Sequence, residues 1–260
     1  MKLIGRLRLS TQLLALIIVN LGFTSVLKTG IICPALYCYG CPAAAFACPI
    51  GTLQNFTAVG AFPYYAIGTL GLFGLTLGRF WCGWACPFGA LQDLIARFRK
   101  RQDVVNLPPL AWTKYLILAI TLLLSWLTLD AVFCKFCPSG SLFAAIPHRI
   151  VSSEFEFGTY FYVHLITLAI SLVLFYLFGR FWCRYLCPLG AIFGLFNRVS
   201  ILKVKLDTTQ CTNCKICLNS CPVNIEKVDD IGKSSDCIQC GKCISECPTE
   251  ALQVSASIRS

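Results

Sequence analysis

Cysteine supplies most of the chemistry open to this chain. Eight of its 18 cysteines fall in two copies of one pattern, Cys211-x2-Cys214-x2-Cys217-x3-Cys221-Pro222 and Cys237-x2-Cys240-x2-Cys243-x3-Cys247-Pro248. A tight loop with this spacing sets three thiolates on one face of a [4Fe–4S] cubane. The fourth cysteine, arriving after a short helical turn, reaches the other cubane. Cys211, Cys214, Cys217 and Cys247 are therefore expected to hold one cluster, and Cys237, Cys240, Cys243 and Cys221 the second. Two zinc sites or a set of disulfides are the plainer readings, but zinc rarely needs eight interleaved cysteines.

A second constellation is repeated. Gly78-Arg79-Phe80-Trp81-Cys82 followed by Cys86-Pro87-Phe88-Gly89-Ala90 recurs as Gly179-Arg180-Phe181-Trp182-Cys183 followed by Cys187-Pro188-Leu189-Gly190-Ala191. Two cysteines cannot complete a four-thiolate site, but two symmetry-related pairs can. Cys82, Cys86, Cys183 and Cys187 thus read as the ligands of one inner cluster. Arg79 and Arg180 would offset its negative charge, and Trp81 and Trp182 would sit at a membrane interface. Ordinary buried thiols at helix ends are the alternative, which the repeated spacing disfavours.

Six cysteines remain: Cys33, Cys38, Cys41 and Cys48, then Cys134 and Cys137. An outer cluster would take Cys134 and Cys137 plus two of the first group. Cys48 is favoured because Cys48-Pro49-Ile50-Gly51 matches Cys137-Pro138-Ser139-Gly140, and Cys38 or Cys41 because they share the C-x2-C spacing. Disulfides stay open here, since an outward compartment permits them.

The elements that must position these residues are apolar. The chain has 260 residues, of which 57% are hydrophobic and 13% charged, a balance that points to lipid as solvent. Four segments are long enough to span roughly 30 Å of hydrocarbon: Leu13–Thr29, Thr57–Leu77, Ala111–Leu129 and Tyr160–Phe178. Close helix packing is expected around Gly71 and Gly74. The basic run Lys2, Arg6 and Arg8 precedes the first segment without a small-residue cleavage site, so that segment reads as a retained helix. Of the net charge of +10, residues 1–206 carry an excess, 17 basic against 5 acidic side chains. The excess flanks the apolar runs, including Arg79, Arg97, Arg99, Lys100 and Arg101 between the second and third. The loop after the third carries Glu154 and Glu156. This asymmetry puts both termini in the cytoplasm and the protein in the cell inner membrane. A nucleic-acid partner, which would want a basic face on a soluble fold, is not indicated.

The fold class expected is an α-helical membrane protein. Residues 1–205 form a four-helix transmembrane domain with an internal two-fold repeat, about 10–105 and 106–205, and residues 206–260 a small α+β two-[4Fe–4S] ferredoxin domain on its cytoplasmic face. The Cys-Pro-x-Gly segments are expected to fold back toward the membrane as irregular, protein-buried backbone. His164, one of two histidines, is a haem ligand by residue type but reads better as a hydrogen-bonded core residue or a member of a quinol site.

At Gly78–Asp93 and Gly179–Ile192, with the eight ferredoxin cysteines after them, the chain resembles membrane-bound polyferredoxins of the NapH type, to which the iron–sulfur half of NosR-type proteins is related. The resemblance implies a quinol-dehydrogenase-like subunit passing electrons between membrane quinol, or a cytoplasmic donor, and a partner protein beyond the membrane. It implies an electron-transfer subunit rather than a stand-alone enzyme. No nucleophile, paired carboxylate or phosphate loop in the sequence suggests substrate chemistry. Two other classes stay in view: a thiol–disulfide or metal-ion reductase in which Cys38 and Cys41 form a redox pair, and an assembly protein whose clusters are structural.

Overall fold

The computed structural model describes residues 2–22, 28–98, 110–151 and 158–256. Residues 23–27 of the first expected span, Arg99, Lys100, Arg101, Glu154 and Glu156, and the side chains of Lys2 and Arg6, lie outside the described residues.

Helix α1 (Lys2–Val19) leads into an irregular stretch, residues 28–48. Then come α2 (Pro49–Val59), α3 (Tyr64–Thr76), the short α4 (Phe80–Trp84) and α5 (Pro87–Ala96). The second half has α6 (Thr113–Thr128), α7 (Val132–Phe136), α8 (Pro138–Gly140), a π-type turn at Ser141–Ala145 and α9 (Ile146–Val151). It closes with α10 (Thr159–Phe178), a π-type turn at Trp182–Leu186 and α11 (Pro188–Phe196). The C-terminal region is built from β1 (Leu202–Leu206), α12 (Ile216–Asn219), α13 (Lys242–Glu246) and β2 (Leu252–Ala256). Its two strands pair antiparallel from Leu202↔Ala256 to Leu206↔Leu252, so this sheet begins ahead of the boundary expected at 206.

Four helices start in the same way. Cys48, Cys86, Cys137 and Cys187 each cap a helix with an extended backbone and are followed by proline in the first turn. Proline needs no N–H there, and its ring forces the preceding cysteine out of the helical region. The Cys-Pro-x-Gly segments are therefore ordered helix N-termini rather than irregular backbone. The irregular, buried backbone lies just ahead of the first of them: Ile32, Ala35, Leu36 and Tyr37 are each 3% exposed or less. These residues belong to the same core as Phe88, Phe175, Leu189 and Phe193 of the helices. The halves interdigitate, with α2 packing on α6, α5 on α10 and α11 on α3, while α11 also packs on α6 of its own half.

The expected spans fare differently. Tyr160–Phe178 is α10 and Ala111–Leu129 is α6, each within two residues. The first helix starts earlier and ends at Val19. The second expected span is two helices, because Gly60 adopts the left-handed conformation (φ 73°) and closes α2 with its N–H on Phe56 and Thr57 carbonyls. Pro63 then stands ahead of α3, and a residue with no N–H cannot continue the earlier ladder. Among the described residues, α10 alone is both long and apolar enough to cross a membrane (20 residues, mean hydropathy 2.2); Leu7–Val19 and α6 are shorter apolar helices. Large apolar side chains on all of these and on α3, among them Leu14, Leu72, Trp126 and Ile170, remain exposed.

Of the two glycines expected at a helix contact, Gly71 has open space where a Cβ would stand, whereas at Gly74 the Phe196 ring of α11 lies 2.5 Å away. We expect Gly74→Val to lower stability by about 1–3 kcal/mol through overpacking and Gly71→Val to leave it unchanged. Thermal unfolding of the two variants in detergent measures this.

Candidate functional site

Helix α4 and the π-type turn at Trp182–Leu186 present Cys82 and Cys183, and the N-caps of α5 and α11 present Cys86 and Cys187. All four are buried and lie within electrostatic reach of one another. The set is drawn equally from the two halves. In one Cys-Pro-x-Gly element the glycine N–H donates to the cysteine sulfur, Gly190 to Cys187 (3.3 Å). A capping side chain accepts from the third helical N–H, and Cys187 uses that geometry to stabilise a thiolate.

The two arginines of the repeat cross over. Arg79 Nη2 donates to the Cys183 carbonyl (2.6 Å), and Arg180 Nη1 donates to the Cys82 carbonyl (2.8 Å). Both guanidiniums are buried. The glycine of the opposite half makes room: a Cβ at Gly89 would stand 2.9 Å from Arg180 Nη1, and one at Gly190 3.1 Å from Arg79 Nη2. Arg180 also donates twice to Asp93 (2.9 and 2.5 Å), and Asp93 pairs with Arg8 as well. Burial alone would raise the Asp93 carboxyl. Arg180, then Arg8, outweigh it and hold Asp93 below the usual carboxylate range.

Two glutamines serve the cysteines and carry no signal in the motifs singled out above. Gln92 Nε2 donates to Cys183 Sγ (3.3 Å) and Gln54 Nε2 to Cys134 Sγ (3.5 Å); neither side chain is exposed. Each stands six residues after the cysteine of its own element, in Cys86-Pro-Phe-Gly-Ala-Leu-Gln92 and Cys48-Pro-Ile-Gly-Thr-Leu-Gln54. Carrying the comparison of those two segments on to the sixth residue after each cysteine would have revealed them. Trp182, expected at an interface, is instead in the core, edge-on to Phe88 and tilted against Phe133. Trp81 packs against Phe73.

On the opposite side, Cys38, Cys48, Cys134 and Cys137 line a cavity of about 370 Å³ and are in electrostatic reach of one another. Cys41 is 3% exposed and packs in the core near Tyr37, outside the lining of this cavity. Cys33, also buried, lies near both Cys86 and Cys48. His164 is tied to Ser141 (3.0 Å from its Nδ1) beside this site.

In the C-terminal region, Cys211, Cys214, Cys217 and Cys247 surround one small pocket. Cys221, Cys237, Cys240 and Cys243 form the other set. This second set faces the helices. Asn197 Nδ2 donates to the Ser234 and Cys237 carbonyls (2.7 and 2.6 Å), Arg79 and Lys114 to that of Ser235 (2.5 and 2.9 Å), and Trp84 Nε1 to that of Gln239 (3.1 Å). Gly83, between Cys82 and Cys86, lies directly against the Ile238 carbonyl, with no room for a Cβ.

Among the described residues, no three His, Cys, Asp or Glu side chains converge as the ligands of one ion would. A cubane takes each thiolate at a separate iron corner, so four buried cysteines that neighbour without converging, with N–H donors on the Cys183 and Cys187 sulfurs, fit it.

Comparison with known proteins gives the same chemistry. The 4Fe-4S binding domain family matches residues 63–104, 110–149 and 160–208, and the 4Fe-4S dicluster domain family residues 203–248. An uncharacterized protein of Methanocaldococcus jannaschii is 34% identical, over 58% of this chain and 56% of its own. The putative electron transport protein YccM of Escherichia coli is 29% identical, over 58% and 43%. The ferredoxin-type protein NapH of Haemophilus influenzae is 29% identical, over 58% and 50%. The matched region thus spans about half the length of these relatives. No solved structure matches the chain.

The Arg8–Asp93–Arg180 group makes a prediction. Asp93→Ala leaves two guanidiniums without their carboxylate, a loss of roughly 3–5 kcal/mol for a buried pair. In the parent protein the contribution is in place above the ordinary carboxylate range and is lost as pH falls through the depressed native value. Protease resistance of the detergent-solubilised variant, followed against pH, should therefore be low throughout, while that of the parent falls only in acid.

Proposed function

The chain belongs to the NapH-type polyferredoxins, 4Fe-4S proteins of electron transport, and from that premise we propose that it conducts electrons across the cytoplasmic membrane through four clusters. Cys211, Cys214, Cys217 and Cys247 hold the first; Cys221, Cys237, Cys240 and Cys243 the second. Cys82, Cys86, Cys183 and Cys187 hold the inner membrane-domain cluster, and Cys38, Cys48, Cys134 and Cys137 the outer one. Each cluster, when bound, supplies one-electron redox chemistry.

The observation that carries this reading is that each helical set takes cysteines from both halves, with the second ferredoxin set docked on the inner one through Gly83 and Trp84. The chain's residues then have clear tasks. Arg79 and Arg180 supply buried positive charge beside the inner thiolates, and Gln54 and Gln92 donate to one thiolate in each helical set. The packed core, with Phe88, Phe175 and Leu189, keeps water from the inner thiolates. Cys38 completes the outer set rather than Cys41 because it lines the cavity, while Cys41 packs outside that lining.

Residues 1–201 are the membrane domain, its repeats about 10–105 and 106–201, and the cytoplasmic ferredoxin domain runs from β1 at Leu202 onward. The exposed apolar faces of α1, α3, α6 and α10 support lipid contact, with α2 and α3 together serving as one broken span. Exposed Cys214 suits exchange with a cytoplasmic redox protein, and the outer cavity suits exchange with a partner beyond the membrane. Membrane quinol is the alternative donor.

Anaerobically purified protein should contain about 16 iron atoms per chain, four per cubane, and Cys183→Ser should remove about four. A parent value near eight iron atoms would confine clusters to the ferredoxin domain. A reporter fused after Ser260 should lie in the cytoplasm, with a cysteine engineered at Glu156 labelled from outside; external labelling at Lys100 would reverse the topology.

A further inference from the structure

The cysteines of the two helical sets belong to elements that the four-span reading assigns to opposite sides of a membrane, which separates its faces by roughly 30 Å of hydrocarbon. The buried stretch of residues 28–48 changes that distance. Its backbone is held in place by Cys33 N–H on the Ala47 carbonyl (3.2 Å) and Ala47 N–H on that of Ile31 (2.8 Å). Ser139 Oγ on the Leu36 carbonyl (3.1 Å) and the Tyr37 hydroxyl on Asn20 Oδ1 (2.5 Å) fix it from the sides.

Two successive N–H groups of this stretch point to different sets. The Leu36 N–H lies close to the sulfur of Cys86, in the inner set, and the Tyr37 N–H close to that of Cys48, in the outer set, and Leu36 and Tyr37 share one buried cluster with Cys82, Cys86 and Cys187. Leu36 and Tyr37 also line the outer cavity. Consecutive residues advance by about 3.8 Å, so a single peptide link separates the backbone beside one sulfur from the backbone beside the other. Cys33 is near both and does not line the outer cavity.

We propose that the segment Cys33–Tyr37 is the electron bridge between the inner and outer cluster sites, with Leu36 and Tyr37 lining the outer site and packed in one buried cluster with the inner ligands, and Cys33 a non-ligand thiol in the gap. The bridge passes one electron at a time. The site at one end loses it as the site at the other gains it, with no bond made or broken and no proton moved. The assignment rests on the four-cluster reading above and adds that the two helical clusters form a close pair within the bundle. It also gives the chain a reason for backbone that is buried yet not helical, which is permitted at membrane depth only where protein covers it.

The test is magnetic and uses the whole chain. In anaerobically purified, fully reduced protein, the inner-cluster EPR signal should show spin–spin splitting and fast relaxation from its neighbour. Cys137→Ser, which removes an outer ligand, should abolish both and leave an uncoupled inner signal. In the parent protein alone, a redox titration should show the splitting only at potentials where both helical clusters are reduced, a measurement that needs no variant to fold. Cys33→Ala should keep the full iron content and the splitting. Four cubanes per chain with no splitting at any potential would refute the bridge while leaving the four-cluster reading intact. Iron for fewer than four cubanes in the parent would remove that reading and the bridge with it, and iron loss in Cys33→Ala would make Cys33 a ligand and refute its place in the gap.

Discussion

The negative charge that iron-binding thiolates would bring into an apolar bundle is the constraint that the proposed inner site sets on the rest of this structure. Thiolates that bind iron must be ionised, and ions cost several kcal/mol to desolvate unless opposite charge and hydrogen bonds meet them. The fold answers with Arg79 and Arg180, each buried and each reaching across the repeat axis to the cysteine carbonyl of the other half. Because each arginine is anchored in one half and serves the other, neither half can satisfy its own site. Asp93 and Arg8 then tie this pair to the first helix, and Arg79 extends to Ser235 of the ferredoxin region. Charge compensation thereby also fixes the packing of the domain.

The Cys-Pro-x-Gly element supplies the same answer at short range. Cysteine occupies the cap, proline fixes the entry to the helix, and glycine leaves space for a neighbour, at Gly190 also giving its N–H to the sulfur. At Gly89 and Gly190 the neighbour is an arginine; at Gly140 it is the ring of His164, 3.3 Å from where a Cβ would stand. One local device is thus used four times, with its surroundings changed to suit each site.

What could be read from the sequence follows the range of the interactions. The cysteine groupings were legible because ligand spacing and the repeat are local patterns, and α10 because its hydropathy is unbroken from Thr159 to Phe178. The break at Gly60 was not, since glycine and proline are tolerated in membrane helices and only the left-handed backbone at Gly60 ends α2. Gln54 and Gln92 were hidden because the second half has Phe143 and Phe193 at the same positions, so the repeat itself masks them. The choice between Cys38 and Cys41 and the contacts of Leu36 and Tyr37 depend on backbone meeting sulfur across long stretches of chain, which no spacing rule encodes.

The repeat fails at one point that matters. The residue after Cys82 is Gly83, lying flat against the Ile238 carbonyl; the residue after Cys183 is Arg184, which reaches toward Asp236 (3.9 Å). A two-fold platform would offer the ferredoxin region a pair of equivalent landings, half a turn apart. With a glycine under one edge and an arginine under the other, only one of those landings is sterically open. A rotated landing would drive the Arg184 side chain into the Ile238 backbone. Duplication of the helical half therefore built a symmetric seat, and a single divergence between its two copies gave that seat a handed fit, so that the asymmetric passenger has a unique heading.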